Sequence, residues 1–418
     1  MLIEFRVENH RSICDEQTLT MEAGRVGNAD DLRPREVVGY AEKILPVAAL
    51  YGANASGKTN VLNGLAFMRD AVIQSSFLWQ PDQGIPRSPF AWGSRKAEPS
   101  LFEVTVLISG VRYEYGFLVS DEVVLEEWLY AWPNGKKQVW FERDNMTFKF
   151  GEKLLGDNQS IEGLTRANSL FVSTAVQFRH EQLQVIHGWF RRVRTLNFGE
   201  MYPSYFHDRG IARLLHEETQ STLFDDTEFG RPNLMAQFRS LLRNADLGIV
   251  DLRVEKAEAT ESRRPRNRFY LQHDVSAGDS WLPLSQESKG TQTLFRSALP
   301  ILETIGHGGL LIVDELEGSL HPSLARHIVD QFNDPNTNPD GAQLIFTTHD
   351  TNLLGTTVGE PALRRDQVWL TKKDEHGITV LYPLTEYQPR KSENLERGYI
   401  QGRYGAIPYL GDLSFVME

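Results

Sequence analysis

The chain has 418 residues, 40% hydrophobic and 24% charged, the composition of an ordinary soluble globular protein; at roughly 100–200 residues per domain it holds two to three domains' worth of core. Forty-four Lys and Arg against 56 Asp and Glu give a formal charge of -12, which excludes a uniformly basic nucleic-acid binder and confines any DNA or RNA contact to local patches. The single cysteine, Cys14, excludes intrachain disulfides and a thiolate metal cluster.

In chain order, Phe5 to Asn9 alternates apolar and polar, the pattern of a half-buried strand, and a second strand follows at Gln17–Met21. The run Lys43–Tyr51 is apolar and ends in Gly52, so it reads as a buried strand entering a loop. Thr59–Asp70 carries Val61, Leu62, Leu65, Ala66 and Met68 at helical spacing. Residues 77–100 are rich in Pro, Gly and Ser and read as loop. Residues 101–150 alternate as antiparallel strands should, and 160–245 has longer helical patterns, with Arg191–Arg194 inside them. Leu252–Val254 and Phe269–Leu271 read as a strand pair around a charged loop. Gly309–Val313 and Gln343–Thr347 are short apolar strands separated by a helical stretch, Ser323–Phe332. That β-α-β spacing predicts parallel central strands and an α/β class. No run approaches the roughly 18 apolar residues of a membrane span, and the N-terminus lacks a signal-peptide core; a cytoplasmic protein is expected.

Gly52-Ala53-Asn54-Ala55-Ser56-Gly57-Lys58-Thr59 matches the G-x-x-x-x-G-K-[ST] phosphate loop in full, with a strand before it and a helix after it. Its glycines let backbone N–H groups turn inward on phosphate oxygens. Lys58 is a point charge for the β- and γ-phosphates, and Thr59 offers a hydroxyl to Mg2+. Leu310–Val313 ends in Asp314 and Glu315, which suits a carboxylate for Mg2+ and a neighbour that polarises the attacking water. Leu284–Gln292 reads as a Ser/Gly loop opening a helix. Its Ser288, Gly290 and Thr291 suit a γ-phosphate, while Ser288 as a plain helix cap is the simpler reading. His349, after another strand, is a candidate sensor of the γ-phosphate.

These four elements, in this order, resemble the ATPase heads of the ABC and SMC superfamily over roughly residues 1–75 and 245–355. The resemblance implies a Walker A loop at 52–59, a Walker B with catalytic glutamate at Ile312–Glu315, a variant signature at Ser288–Thr291, a D-loop around Ser319–Pro322 and a switch histidine at His349. Val7–Ser12 also resembles the opening strand of this class, with His10 where an aromatic is usual and Arg11 as a residue reaching nucleotide phosphates. The implied architecture is an α/β head with a mixed central sheet, an antiparallel β lobe and a helical insertion. It divides into an N-terminal ATPase half at 1–150, an insertion or lid at 151–245 and a C-terminal half at 246–418. The implied nucleotide site is Gly52, Asn54, Ala55, Ser56, Gly57, Lys58, Thr59, Asn60 and Arg11, with Thr59 and Asp314 on the metal and Lys58, Glu315 and His349 in catalysis. The cofactors are ATP and Mg2+. Ser288, Gly290 and Thr291 would act in trans, making a homodimer or higher homo-oligomer of ATP-sandwiched heads. Gln80 and Gln83 are the candidates for a Q-loop glutamine.

Head halves split by a moderate insertion resemble the compact ATPases of bacterial antiphage defence, namely the OLD-like ATPases, the PARIS and Septu ATPase subunits and RloA-like proteins. The tail at Tyr399–Pro408 is similar to the ending of such ATPases encoded beside a small nuclease. Only 69 residues (418 − 349) follow His349, too few for a fused Toprim nuclease, so no nuclease activity is expected in this chain. The resemblance implies a sensor or regulatory scaffold controlling a separate effector nuclease or toxin; the alternative is a DNA-clamping repair ATPase like RecF. Arg263, Arg264, Arg266 and Arg268 form a dense basic loop. It is a candidate contact for nucleic-acid phosphates or an acidic partner, against the plainer reading of a solvated hairpin tip.

Overall fold

The computed structural model describes residues 1–27, 30–197, 211–212, 234–245, 248–256, 267–274, 280–318, 320–356, 359–390 and 393–407. The central element is a six-stranded mixed sheet. Its strands are β3 (Val47–Gly52), β9 (Val193–Leu196), β13 (Leu310–Val313), β14 (Gln343–Thr347), β15 (Val368–Lys373) and β16 (Thr379–Pro383). They lie in the order β16-β15-β3-β14-β13-β9, all parallel except β16, which returns antiparallel to β15. The inner strands β3, β13 and β14 are buried at every residue. Burial on both faces is why their sequences read as continuous apolar runs rather than alternations.

A second sheet is wholly antiparallel and has seven strands. It joins β1 (Leu2–Glu8) and β2 (Gln17–Thr20) to β4 (Ser100–Ile108), β5 (Val111–Val119), β6 (Val124–Trp132), β7 (Gln138–Asp144) and β8 (Thr147–Phe150). The helix α1 (Lys58–Gln74) lies between this lobe and the central sheet, and Val61, Leu62, Leu65 and Met68 enter a core shared by both. The approach of α1 to β1 is close at Gly64, where a Cβ would stand 3.2 Å from both Phe5 and Val7. Three short helices cover the other side of α1 and the lobe: α2 (Asn158–Leu164), α3 (Phe171–Gln177) and α4 (Gln184–Arg191). Glu127 ties α3 to the lobe: its fully buried carboxylate accepts the Phe171 and Val172 N–H groups at 2.6 and 3.1 Å and faces the equally buried Arg143.

The remaining elements form a third core. A three-stranded antiparallel sheet, β10 (Ile249–Lys256), β11 (Asn267–His273) and β12 (Trp281–Pro283), packs with α5 (Leu234–Asn244) and α6 (Lys289–His307). Two helices complete the central sheet's far face, α7 (Pro322–Asn333) and α8 (Leu395–Ile400).

The stretch 151–245, read from sequence as one helical insertion, differs from that expectation. It contains β9, which pairs in parallel with β13 at the edge of the central sheet. Helix α4 stops at Arg191, so Arg191–Arg194 is not one amphipathic helix: Val193 and Arg194 belong to β9, and Arg194 lies 3.4 Å from Glu303. A strand of four residues is too short to show its own period, and the helical pattern before it masks it.

Candidate active site

The site forms where β3, β13 and β14 end side by side. β3 delivers the loop 52–59 into the start of α1. The turn needs Gly57, whose φ is 105° and where a Cβ would run into the Thr379 side chain. Gly57 is also the N-cap of α1 and gives it no side-chain cap, and the first turn carries no acid. The N–H groups and positive dipole end of α1 therefore face the site with no side-chain cap and no acid within the first turn itself, as suits an anion site. Ser56 and Thr379 lock the loop from behind. The Ser56 hydroxyl lies 2.5 Å from the Thr371 hydroxyl, and Thr379 donates to the Ser56 carbonyl at 3.0 Å. Asn60 donates to the Ser12 hydroxyl at 2.6 Å, and Ser12 lies 2.7 Å from the Thr379 hydroxyl. Arg11 thus stands next to the loop. It is half-buried, and burial alone lowers its pKa, with no carboxylate offsetting it.

Lys58 is only 6% exposed. Its ammonium donates to the carbonyls of Gly52 at 2.9 Å and Ala53 at 3.1 Å and lies 3.0 Å from His349 Nε2. Those three contacts use all the donors an ammonium has. Burial lowers the Lys58 pKa against the pull of Asp314, Glu315 and Glu317. Burial, then the Lys58 charge, lowers the His349 pKa. Neutral His349 accepts the Lys58 proton at Nε2, which puts the ring hydrogen on Nδ1.

Thr59 donates to both oxygens of Asp314, at 2.9 and 3.1 Å. Thr347, which sequence reasoning missed, holds this pair in place. Its buried hydroxyl donates to Asp314 Oδ1 at 2.7 Å and accepts the Glu315 N–H at 2.7 Å. The signal was faint: parallel register sets Val313 opposite Phe346, so the next residue on each strand, Asp314 and Thr347, must meet. Glu315 follows with φ 52°, a left-handed conformation uncommon for a side-chain-bearing residue. Three bonds hold it there: the one to Thr347, Leu316 N–H to the Thr347 carbonyl at 3.0 Å, and Gly318 N–H to the Glu315 carbonyl at 2.8 Å. The turn leaves the Glu315 carboxylate exposed at the mouth of the site. Glu317, also missed, accepts the His349 N–H at 2.6 Å and ties the loop after β13 to the loop after β14. Behind β3, Tyr399 of α8 stacks edge-on against Tyr51 at 5.4 Å and donates to the Ala406 carbonyl at 3.4 Å.

The structure therefore brings together residues 52–60, Asp314, Glu315 and His349, with Arg11 alongside. It does not bring Ser288, Gly290 and Thr291 to them by any described hydrogen bond. Ser288 caps α6, accepting the Thr291 N–H at 3.1 Å. Gln80 and Gln83 are exposed, their carbonyls held by Asn168. Arg268 is exposed on β11 opposite Glu255; Arg263, Arg264 and Arg266 lie outside the described residues, as do Ser319 and Pro408. A cavity of about 910 Å³ lies elsewhere, where Asp31 is held between Arg33 and Arg364. No helix among the described residues is long and apolar enough to cross a membrane.

A parallel strand feeding a helix through a glycine turn, beside an acid-tipped parallel strand, is the arrangement of an α/β P-loop nucleotide-binding fold. The chain belongs to the family described as "AAA domain, putative AbiEii toxin, Type IV TA system", whose model matches residues 47–355. Among solved structures it is similar to the SMC head domain from Thermotoga maritima, at 12% identity and a TM-score of 0.40, covering 91% of this chain and 98% of that one. It is also similar to an Smc head bound to the C-terminal winged-helix domain of ScpA, at 11% identity and a TM-score of 0.45, covering 93% and 99%. A third is an Smc head with an extended coiled coil bound to the C-terminal domain of ScpA from Pyrococcus furiosus, at 9% and 0.43, covering 93% and 97%. No curated protein matches the sequence.

Proposed function

We propose that this chain is an ATPase whose heads engage in pairs across ATP and so control a separate effector nuclease or toxin in antiphage defence. The observation that carries the ATPase reading is the junction of Lys58, Thr59, Asp314, Glu315 and His349 beside the uncapped start of α1. The donor set suits the cofactors: the Thr59 hydroxyl and the Asp314 carboxylate meet as hard oxygen donors beside the phosphate loop. A cation shared between Thr59, Asp314, phosphate oxygens and water is the habit of Mg2+. ATP with Mg2+ supplies the anhydride to be cleaved and a cation that neutralises it.

The protein's own groups then divide the work. Lys58 exchanges its carbonyl and imidazole partners for phosphate oxygens, and the N–H groups of 54–59 receive the rest. Asn60 and Arg11 line the same loop. Glu315 orients the attacking water and takes its proton, a role that fits an exposed carboxylate on a rigid turn. His349, released by Lys58, bonds the terminal phosphate and reports its loss through Glu317. Ser288, Gly290 and Thr291 present the start of α6 to ATP held by the facing head, giving a homodimer or higher oligomer.

The effector role rests on the resemblance above and on the family's description as a toxin–antitoxin component. The test is to recover Glu315→Gln from its native host with ATP present, then size it and identify what accompanies it. A stoichiometric small protein that leaves the wild type on hydrolysis supports the reading. Duplex DNA recovered alone, with salt-sensitive binding, replaces it with a clamp.

A further inference from the structure

Helix α8 and the turn after it touch the candidate site on one side and water on the other. The helix turns Leu395, Gly398 and Tyr399 inward. Tyr399 meets Tyr51 of β3 at 5.4 Å, and the Tyr51 hydroxyl donates to the Asp350 carbonyl at 2.9 Å, one residue past His349. Glu396 accepts the Thr351 hydroxyl at 3.3 Å. A Cβ on Gly355 would run into the Glu396 carboxylate, so the helix and the segment after His349 leave no space between them. A shift of residues 349–351 therefore reaches α8 directly.

The outer side is cationic, in a chain whose net charge is -12. Arg397 and Ile400, three residues apart, share the outward face of α8, and Ile400 is 58% exposed. The turn that follows adds Arg403 and Ile407, both exposed, with Ile407 folded back over Gly402. Exposed Tyr387 packs edge-on against Tyr404 at 5.6 Å, and Arg390 is exposed beside it. Glu393 answers only Arg403, at 3.3 Å; it also accepts the Tyr404 hydroxyl at 3.1 Å and the Arg390 N–H at 3.2 Å. Among the described residues the side chains of Arg390 and Arg397 make no ion pair. Exposed isoleucines set among arginines suit a protein segment, with an apolar centre and a charged rim. A phosphate backbone would leave the isoleucines uncovered.

We propose that this face is where the separate effector docks, through an acidic segment whose apolar side chains cover Ile400 and Ile407 and whose carboxylates pair with Arg390, Arg397 and Arg403. The inference rests on the effector reading above. It gives the nucleotide a short route to the partner, because α8 lies against the residues that follow His349. The probe is the small protein recovered with Glu315→Gln and ATP. Arg397→Glu with Arg403→Glu, and separately Ile400→Ser, are made in that background. All three side chains are exposed, and an unchanged Tm checks that the fold is kept. Each variant should weaken the complex by about tenfold or more, the scale of a lost interface anchor, with ATP binding and ATP-dependent pairing unchanged. Lysines placed in the partner's acidic segment should restore binding to the arginine reversals. Unchanged affinity in both variants, or a partner with no acidic segment, overturns this inference alone. Duplex DNA held by the wild type and lost in the arginine reversals assigns the face to nucleic acid and overturns it too. So does hydrogen-exchange protection of residues 395–407 that disappears when 408–418 are deleted, because the chain then covers its own face. If Glu315→Gln recovers no small protein, the effector reading falls and this inference with it.

Discussion

The two helix starts rich in small polar residues are opposites. Helix α1 begins at Gly57 with no side-chain cap and no acid, so its N–H groups are ready for an anion. Helix α6 begins at Ser288, which satisfies the Thr291 N–H and meets the Thr291 hydroxyl at 2.8 Å. One start is open to its ligand within the chain; the other is already satisfied by its own residue. On the proposed reading a phosphate in trans displaces a working cap, worth about 1 kcal/mol, whereas a phosphate at α1 displaces no cap and takes over the contacts of Lys58. On that reading, this difference makes nucleotide binding the prior event and head engagement the conditional one.

The largest expected effect breaks the open site. Lys58→Ala should lower ATP affinity by about a hundredfold or more, as loss of a buried charged partner does, read by equilibrium binding. Glu315→Gln should leave ATP affinity intact and slow hydrolysis by about a hundredfold or more, the reach of a general base. ATP-dependent pairing should then persist in sizing runs; turnover at the wild-type rate would remove Glu315 from its role.

The closed site is sharpened by Ser288→Asp. Aspartate caps as well as serine and suits the dipole, so thermal stability should hold, while its charge opposes a phosphate and abolishes ATP-dependent pairing. Unimpaired pairing in that variant would leave Ser288 as a cap only. Thr347→Val tests the hinge of the site: it strands the Glu315 N–H, so a cost of about 1–3 kcal/mol is expected, together with slower hydrolysis, by denaturation and turnover assays.

The smallest effect at neutral pH belongs to His10, which lies outside both helix starts. It is 3% exposed between Phe67 and Phe102, neither ring nitrogen has a hydrogen-bond partner, and burial lowers its pKa to about 3. The unfolded chain takes up a proton below about pH 6.5 that the folded one refuses, so His10 removes stability as pH falls from 6.5 toward 3. His10→Phe should flatten the fall in Tm between pH 6.5 and 5, where about 2 kcal/mol is at stake. An unchanged slope would count against a neutral His10.

What the sequence made legible was local. Residues 52–59 carry their own glycines, lysine and threonine in one window, and Asp314–Glu315 sit at the end of an unmistakable apolar run. Thr347, Glu317, Thr371 and Thr379 act through partners about 30 to 320 residues away, which only strand register brings together. β9 stayed hidden because four residues carry no period.

The strand that carries the phosphate loop has an unusual place in the order of synthesis. β3 is complete at residue 52, yet both strands beside it, β14 and β15, begin at residues 343 and 368. The antiparallel lobe closes within the first 150 residues, so it can form on the ribosome while β3 still has no sheet to join. Such distant pairings form slowly and leave apolar strands uncovered meanwhile. The lobe can thus cover one apolar face of α1 early, while the candidate site cannot close until β13 and β14 have been made.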